Sequence, residues 1–385
     1  MHYALMPPFG ERFLPVWLIG LLVGATSLAQ LSLDVPAGYL IDRFGYTRLL
    51  KISTAIFFSA ALCIATGLTE VTYLVSNFLS TFGYLFFLPG INACLLSEAN
   101  RSAEGRLFSL RDTFGSIGVV LCSVALSFVL LLSPSSAGIL LCCTFFFAFI
   151  ALFFMPEERL HTSIVRKSRV KRSIPALLGA LRKLNPAGGI LLLLTFSAST
   201  FYGVVWFVVP LVIATQEAAA SVMSIGLGIF DFSVVVLGYV IGTLADRANR
   251  RQLIFFGLLL FSVMAMLAGM DFGWLFVLFG FIAAAGEEVA GISLWSWLHT
   301  LDTEHAADGT LAGTISLFDD LGWTVGPVIG GILFSIVGPS WAVTLGAVPI
   351  FFVWVMYYFF VHPIFPPEII RTDMPYRHKT HKHHA

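Results

Sequence analysis

Apolar residues fill the chain in long blocks, and polar residues are confined to the gaps between them. A helix needs about 20 apolar residues to cross a bilayer. Eleven such blocks can be drawn, at 14–40, 49–69, 72–97, 107–132, 136–155, 187–213, 220–244, 252–270, 273–298, 309–336 and 340–361. Backbone groups in lipid must be bonded within their own segment or a closed barrel, and barrel strands are far shorter than these blocks. The pattern therefore predicts an all-α, polytopic membrane protein with eleven transmembrane helices.

Charge sharpens this picture. The chain holds 22 Lys and Arg, and threading the spans places every one except Arg12 on a single side. They cluster at 43–51, 101–111, 159–183, 247–251 and 371–382, while the opposite loops "GLTEV", "LSPSSAG", "TQEAAA", "MDFG" and "VGPS" have none. The positive-inside rule puts that side in the cytoplasm, with the N-terminus outside and the C-terminus inside a cell membrane. Composition agrees. Of 385 residues, 58% are hydrophobic and 11% charged, against roughly 25% charged in a soluble protein. The balanced charge, zero overall, argues against a nucleic-acid partner. All five cysteines fall inside apolar blocks and read as small hydrophobes.

Two of the polar gaps look alike. "GYLIDRFGYTR" at 38–48 and "GTLADRANRR" at 242–251 align Gly38 with Gly242, Leu40 with Leu244, Asp42 with Asp246 and Arg43 with Arg247, all 204 residues apart. The same offset takes Glu104-Gly105 to Asp308-Gly309, and an offset of 207 takes Asp112 and Gly115 to Asp319 and Gly322. The chain thus reads as two homologous halves: a bundle at 1–155, a basic linker with a short interfacial helix at 156–186, a second bundle at 187–362 and a tail at 363–385. Repeated halves suit a transporter, because alternating access rocks one half against the other.

The paired hinges resemble the cytoplasmic signature of the major facilitator superfamily: Gly, three residues, Asp-Arg, one residue, Gly, then basic residues. The resemblance implies two pseudo-symmetric bundles, with the signature between helices 2 and 3 and again between helices 8 and 9. It implies that Asp42 faces the N-terminus of the helix starting near Gly309, and Asp246 that of the helix starting near Gly105, where a helix dipole favours an anion. Gly38, Gly45 and Gly242 would permit close packing or a turn, and Arg43, Arg48, Arg247, Arg250 and Arg251 would anchor the loops. Together they would latch the two halves. The chain departs from the pattern at several points. Tyr46 and Thr47 stand where basic residues are usual. Asn249 replaces a glycine, though asparagine tolerates a left-handed turn. Phe86 stands where many proton-linked members carry arginine. The helix-5 glycine-proline motif of drug antiporters is absent from "SLRDTFGSIGVVLCS", while "GWTVGPVIGG" at 322–331 appears in the other half. Only one block precedes the first signature, so the family's helix 1 is expected to be missing, and "MHYALMPPFGER" reads as the end of an external loop.

Carboxylates inside the membrane are costly and mark function. By helix rise, Asp231 lies about 22 Å from Asp246, and Glu287, Glu288, Asp319 and Asp320 lie roughly 16 Å from the cytoplasmic ends of their helices. These residues, with Asp34 and Asp112 nearer the cytoplasm and Trp295 and Trp323 on central helices, are candidates for a coupling site or substrate cavity. No Lys or Arg shares the central depth in the second half, so each carboxylate there should take a proton, face water or bind a cation. Adjacent residues are about 100° apart on a helix, so one of each pair is expected to face the cavity and the other a neighbour. "HTLDTEH" and "HKTHKHH" lie in loop and tail without a scaffold, and no metal site is expected. No phosphate-binding loop or nucleophile–base pair is present, which argues against an enzyme and against a cofactor.

The reading is a monomeric secondary transporter of a small solute, coupled to protons as a symporter or antiporter. The alternatives are an uncoupled importer or uniporter of an organic solute and a transport-dead receptor or scaffold. Cysteine labelling from each side of the membrane checks the topology. The C-terminal tail should react from the cytoplasm and the N-terminus from outside; a cytoplasmic N-terminus would contradict the eleven-span reading.

Overall fold

The computed structural model describes residues 2–98, 104–154, 186–215, 220–301 and 309–361. The linker ahead of Pro186 and the tail from 363 lie outside them. The described helices, in order, are α1 (His2–Gly10), α2 (Val16–Phe44), α3 (Tyr46–Ala65), α4 (Glu70–Glu98), α5 (Glu104–Leu131), α6 (Pro134–Ala151), α7 (Pro186–Thr215), α8 (Ala220–Arg247), α9 (Arg250–Ala268), α10 (Trp274–Leu301), α11 (Gly309–Gly346) and α12 (Val348–Met356). A wider turn, Tyr357–Val361, follows α12.

Seven described stretches are long and apolar enough to cross a membrane, and α2, α5 and α8 carry shorter apolar runs. One stretch, Leu317–Val361, covers 45 residues, or about 67 Å of helix, enough for two passages. Gly338 divides it. With φ 81° and ψ 173° it leaves helical geometry, and Pro339 starts the next run with its φ already set. The eleven predicted blocks are thus all helical.

The N-terminal stretch differs from expectation. It is the helix α1 rather than a loop, because Ala4, Leu5, Met6 and Phe9 are all buried and join the main core with residues of α7. A segment with that much buried apolar surface gains more by closing its backbone bonds than by staying extended.

Helix starts repeat the spacing of the hinges. Tyr46 and Arg250, and Glu70 and Trp274, are each 204 residues apart. Packing follows the same relation. Helix α3 lies against α4 and α6, and its counterpart α9 lies against α10 and α12. Helix α2 packs along α11, and the counterpart pair, α8 and α5, packs likewise. Even single contacts correspond. A side chain on Gly138 in α6 would strike the Ala65 backbone of α3, and one on Gly269 at the end of α9 would strike Thr344.

Helix α7 is buried on nearly every side, with Phe201, Val204, Val205, Phe207, Val208 and Leu211 fully enclosed. Its near-absence of polar periodicity is what a central helix requires. Helix α6 instead exposes Phe146, Phe147 and Ile150, as a lipid-facing helix does.

Helix α11 joins this centre to α2 through glycines. Small residues matter here because lipid gives no hydrophobic drive to bring helices together, so close van der Waals packing must do it. A Cβ on Gly326 would lie 2.8 Å from Gly203 Cα of α7, whereas one on Gly118 of α5 would meet nothing within 4 Å. Gly326→Ala should therefore destabilise the fold by about 1–3 kcal/mol, the cost of overpacking. Gly118→Ala should be neutral or gain up to about 1 kcal/mol of helix propensity. Thermal unfolding of both variants in one detergent checks this, and equal melting temperatures would refute the close packing.

Candidate functional site

Thr195, Ser199 and Tyr202 are spaced by four and three residues, which puts them on one face of α7. Asp319 and Trp323 share a face of α11 by the same spacing. These two faces and the middle of α10, with Glu287 and Glu288, enclose a cavity of about 310 Å³. Leu191, Leu194, Ala198, Gly291 and Ile292 complete its wall.

Glycines set the geometry. Gly322 lies one turn from Asp319, and a Cβ there would come within 2.6 Å of Ser199 Cβ and 2.9 Å of Thr200 N. Its bare backbone lets α7 approach until the Ser199 hydroxyl donates to Asp319 Oδ1. Gly286 does the same for Glu287. It packs against Phe261 N and Gly257 O of α9, fixing α10 where the Tyr202 hydroxyl donates to Glu287 Oε2. The Tyr202 ring is held by Phe230, edge-on at 5.5 Å, and by Phe261, stacked at 6.4 Å.

Two of the three cavity carboxylates, Asp319 and Glu287, are thus answered by hydroxyls. Between 186 and 361 the only Lys or Arg residues are Arg247, Arg250 and Arg251 at the second hinge. Glu287 also lies within electrostatic reach of Glu288, Asp319 and Asp231. A hydroxyl relieves part of the desolvation cost of a buried carboxyl group but adds no countercharge. Asp231 sits on α8 and reaches the α2–α6 side of the molecule: Ser116 Oγ of α5 donates to its Oδ1 at 3.4 Å.

Sequence candidates separate accordingly. Glu287, Glu288, Asp319 and Trp323 line the cavity; Asp231 stands beside it at the α5–α8 contact. Asp320 is not among the residues that line the cavity; its backbone carbonyl accepts from Thr324 Oγ1 at 2.8 Å. Glu287 and Glu288 do not divide between cavity and neighbour, because both line the same space. The side-chain surroundings of Asp34, Asp42, Asp112, Asp246, Arg247 and Trp295, and those of Gly38 and Gly242, lie outside the described residues. Helix α2, which carries Asp42, packs along α11, and α8, which carries Asp246, packs along α5.

The hinges are built differently. Gly45, with φ 86°, makes the turn between α2 and α3. Asn249 takes φ −67° and ψ 106°, not a left-handed turn; its side chain caps α9 by accepting from Arg251 N at 3.0 Å. An N-cap needs extended rather than left-handed backbone, and Asn suits it. The Tyr357 hydroxyl donates to Arg251 O at 3.0 Å and ties this hinge to the end of the last helix. In the first hinge, Arg43 is exposed with its guanidinium 5.3 Å from the Phe44 ring centre, and Arg48 is exposed. Arg250 lies in the first turn of α9, half-buried. Phe86 packs beside Ile41 and Leu50 at this end.

The residues that sequence reasoning missed are Ser116, Ser199 and Tyr202. The available signal was weak: five hydroxyl residues, Thr195, Ser197, Ser199, Thr200 and Tyr202, inside an otherwise apolar helix.

The chain matches the sequence profile of the Major Facilitator Superfamily over residues 3–285 and again over 191–378. It belongs to that superfamily. The second match begins within α7, the first described helix after the linker. The chain is also similar to "Multidrug resistance protein 2" of Bacillus subtilis (strain 168), with 21% identity over 345 residues, covering 83% of this chain and 80% of the relative. The transporter is therefore a multi-pass membrane protein that handles small molecules as a secondary carrier, not an enzyme.

Proposed function

We propose that the protein is a proton-coupled secondary transporter that moves a small solute by alternating access, with Asp231 and Glu287 in the coupling site. The observation that carries this reading is the set of carboxylates around the cavity, answered by Ser199 and Tyr202 rather than by a cation. Such a group can hold a proton in one facing state and lose it to water in the other, which coupling requires. The Ser116–Asp231 bond links one carboxylate to the opposite side of the α5–α8 contact. A change at Asp231 is thus felt where the halves meet.

In this reading residues 1–155 and 187–362 are the two rocking bundles of a monomer in the cell membrane, joined by the basic linker, with the hinges and C-terminus cytoplasmic. Asp42 and Asp246 act as latches at the helix starts of α11 and α5, each contributing about 0.3–1 kcal/mol if exposed and up to about 2 if partly buried. The relative's name directs attention to drug-like solutes. The cavity volume, about 310 Å³, sits at the low end of the roughly 300–1,000 Å³ of small-molecule sites, which favours a compact solute over a bulky one.

Proteoliposomes with an imposed pH gradient and a labelled solute panel of amines, sugars, carboxylates and amino acids test the proposal. Asp231→Asn and Glu287→Gln should abolish gradient-driven accumulation while retaining exchange of the same solute. If both variants accumulate solute at the parental rate and with the parental pH dependence, these residues are packing elements and coupling lies elsewhere.

A further inference from the structure

The cavity's hydrogen-bond inventory restricts what it can hold. Its three side-chain hydroxyls are already spent as donors. Thr195 Oγ1 gives its proton to Leu191 O at 3.0 Å, Ser199 to Asp319 and Tyr202 to Glu287. Glu288 also lines the space, and among the described residues no side-chain donor reaches it. A ligand entering here meets mostly carboxylate lone pairs, beside an apolar wall of Leu191, Leu194 and Ile292 and the aromatic side chains of Tyr202 and Trp323, whose indole N–H is itself a donor.

Each ligand class fares differently. An anion would add charge to a space already lined by three carboxylates and would find no cation among the described residues that line it. A quaternary cation brings charge but no N–H, so the lone pairs lose water without gaining a bond. An ammonium with N–H groups supplies both, and its carbon body suits the apolar and aromatic wall, where cation–π attraction adds to the binding.

Resting on the transport reading above, we infer that the cavity binds a primary or secondary organic ammonium on a compact apolar or aromatic body, with Glu288 as its anionic contact. Glu287 and Asp319, already bonded to hydroxyls, shape the rest of the polar side.

The test uses the full chain in nanodiscs, titrated calorimetrically with phenethylammonium, phenethyltrimethylammonium and hydrocinnamate. Phenethylammonium should bind. The trimethyl analogue should bind about tenfold or more weakly, the loss expected for one charge-assisted hydrogen bond, and hydrocinnamate should not bind. Glu288→Gln should weaken phenethylammonium by about tenfold or more at an unchanged melting temperature. The ligand series on the parental chain decides the matter even if that variant does not fold. Equal or tighter binding of the trimethyl analogue overturns the N–H requirement; binding of hydrocinnamate, or of none of the three, overturns the cation assignment. The same preparation, moved to proteoliposomes under a pH gradient, separates this proposal from the coupling reading. Gradient-driven movement of some other solute without amine binding removes the ligand class alone. Amine binding without any gradient-driven movement removes the coupling alone.

Discussion

Backbone-to-backbone contact along α11 is the constraint on which the rest of the molecule depends. Gly322, Gly326 and Gly330 recur every four residues and face α7, where a Cβ on Gly326 would sit 2.8 Å from Gly203 Cα. Gly331, one position on, faces α2, where a Cβ would lie 3.0 Å from Val16 O and 3.2 Å from Gly20 Cα. A single helix is thus pressed between a neighbour on its own side of the linker and a helix from the other. In lipid this intimacy replaces hydrophobic drive as the source of attraction. It also makes the contact all-or-none, since dispersion falls steeply once the surfaces part.

The same helix carries the chemistry. Asp319 and Trp323 begin where the glycine run begins, so the packing that closes α7 onto α11 also delivers Ser199 to Asp319. Polar groups therefore occupy one stretch of the α7–α11 interface and the tightest apolar contacts the next. Across the molecule, α5 and α8 repeat the α2–α11 arrangement with Gly228 set against Val120 and Ser123, and Asp231 stands in that contact. The cavity-lining groups and the closest interhelix contacts share α11, and Asp231 lies on α8 at the second such contact.

Much of the fold could be read from hydropathy because lipid leaves helices as the only option for an apolar block of that length. The block at 49–69 is the helix Tyr46–Ala65, and that at 252–270 is Arg250–Ala268. The repeat was equally legible from the two hinges, since helix starts keep the same spacing. Local backbone detail was not. Asn249 caps α9 where the first hinge turns on a glycine, because glycine's role there does not transfer to a residue with its own acceptor. The break at Gly338, by contrast, was legible, since the loop "VGPS" already parts the blocks 309–336 and 340–361, and Gly338 leaves helical geometry there. For the site, the costly carboxylates announced themselves as charges in apolar blocks. Ser199, Tyr202 and Ser116 did not, since a hydroxyl in a membrane helix satisfies itself on the preceding turn as readily as on another helix; Thr200 does so on Phe196 O at 2.7 Å. Which of these a hydroxyl chooses depends on the glycine contacts, and those are tertiary facts.

If the two halves rock as proposed, the α2–α11 contact must make and break as the carrier works. Leu21 and Ile332 are exposed neighbours of Gly20 and Gly331, and in a cysteine-free background they accept spin labels without entering the seam. Pulsed electron resonance between labels at these two positions, in nanodiscs in acidic and alkaline buffer, measures the seam directly. Two distance populations are expected, in a ratio that changes with pH. A single distance, the same in both buffers, would show that the α2–α11 contact stays closed throughout.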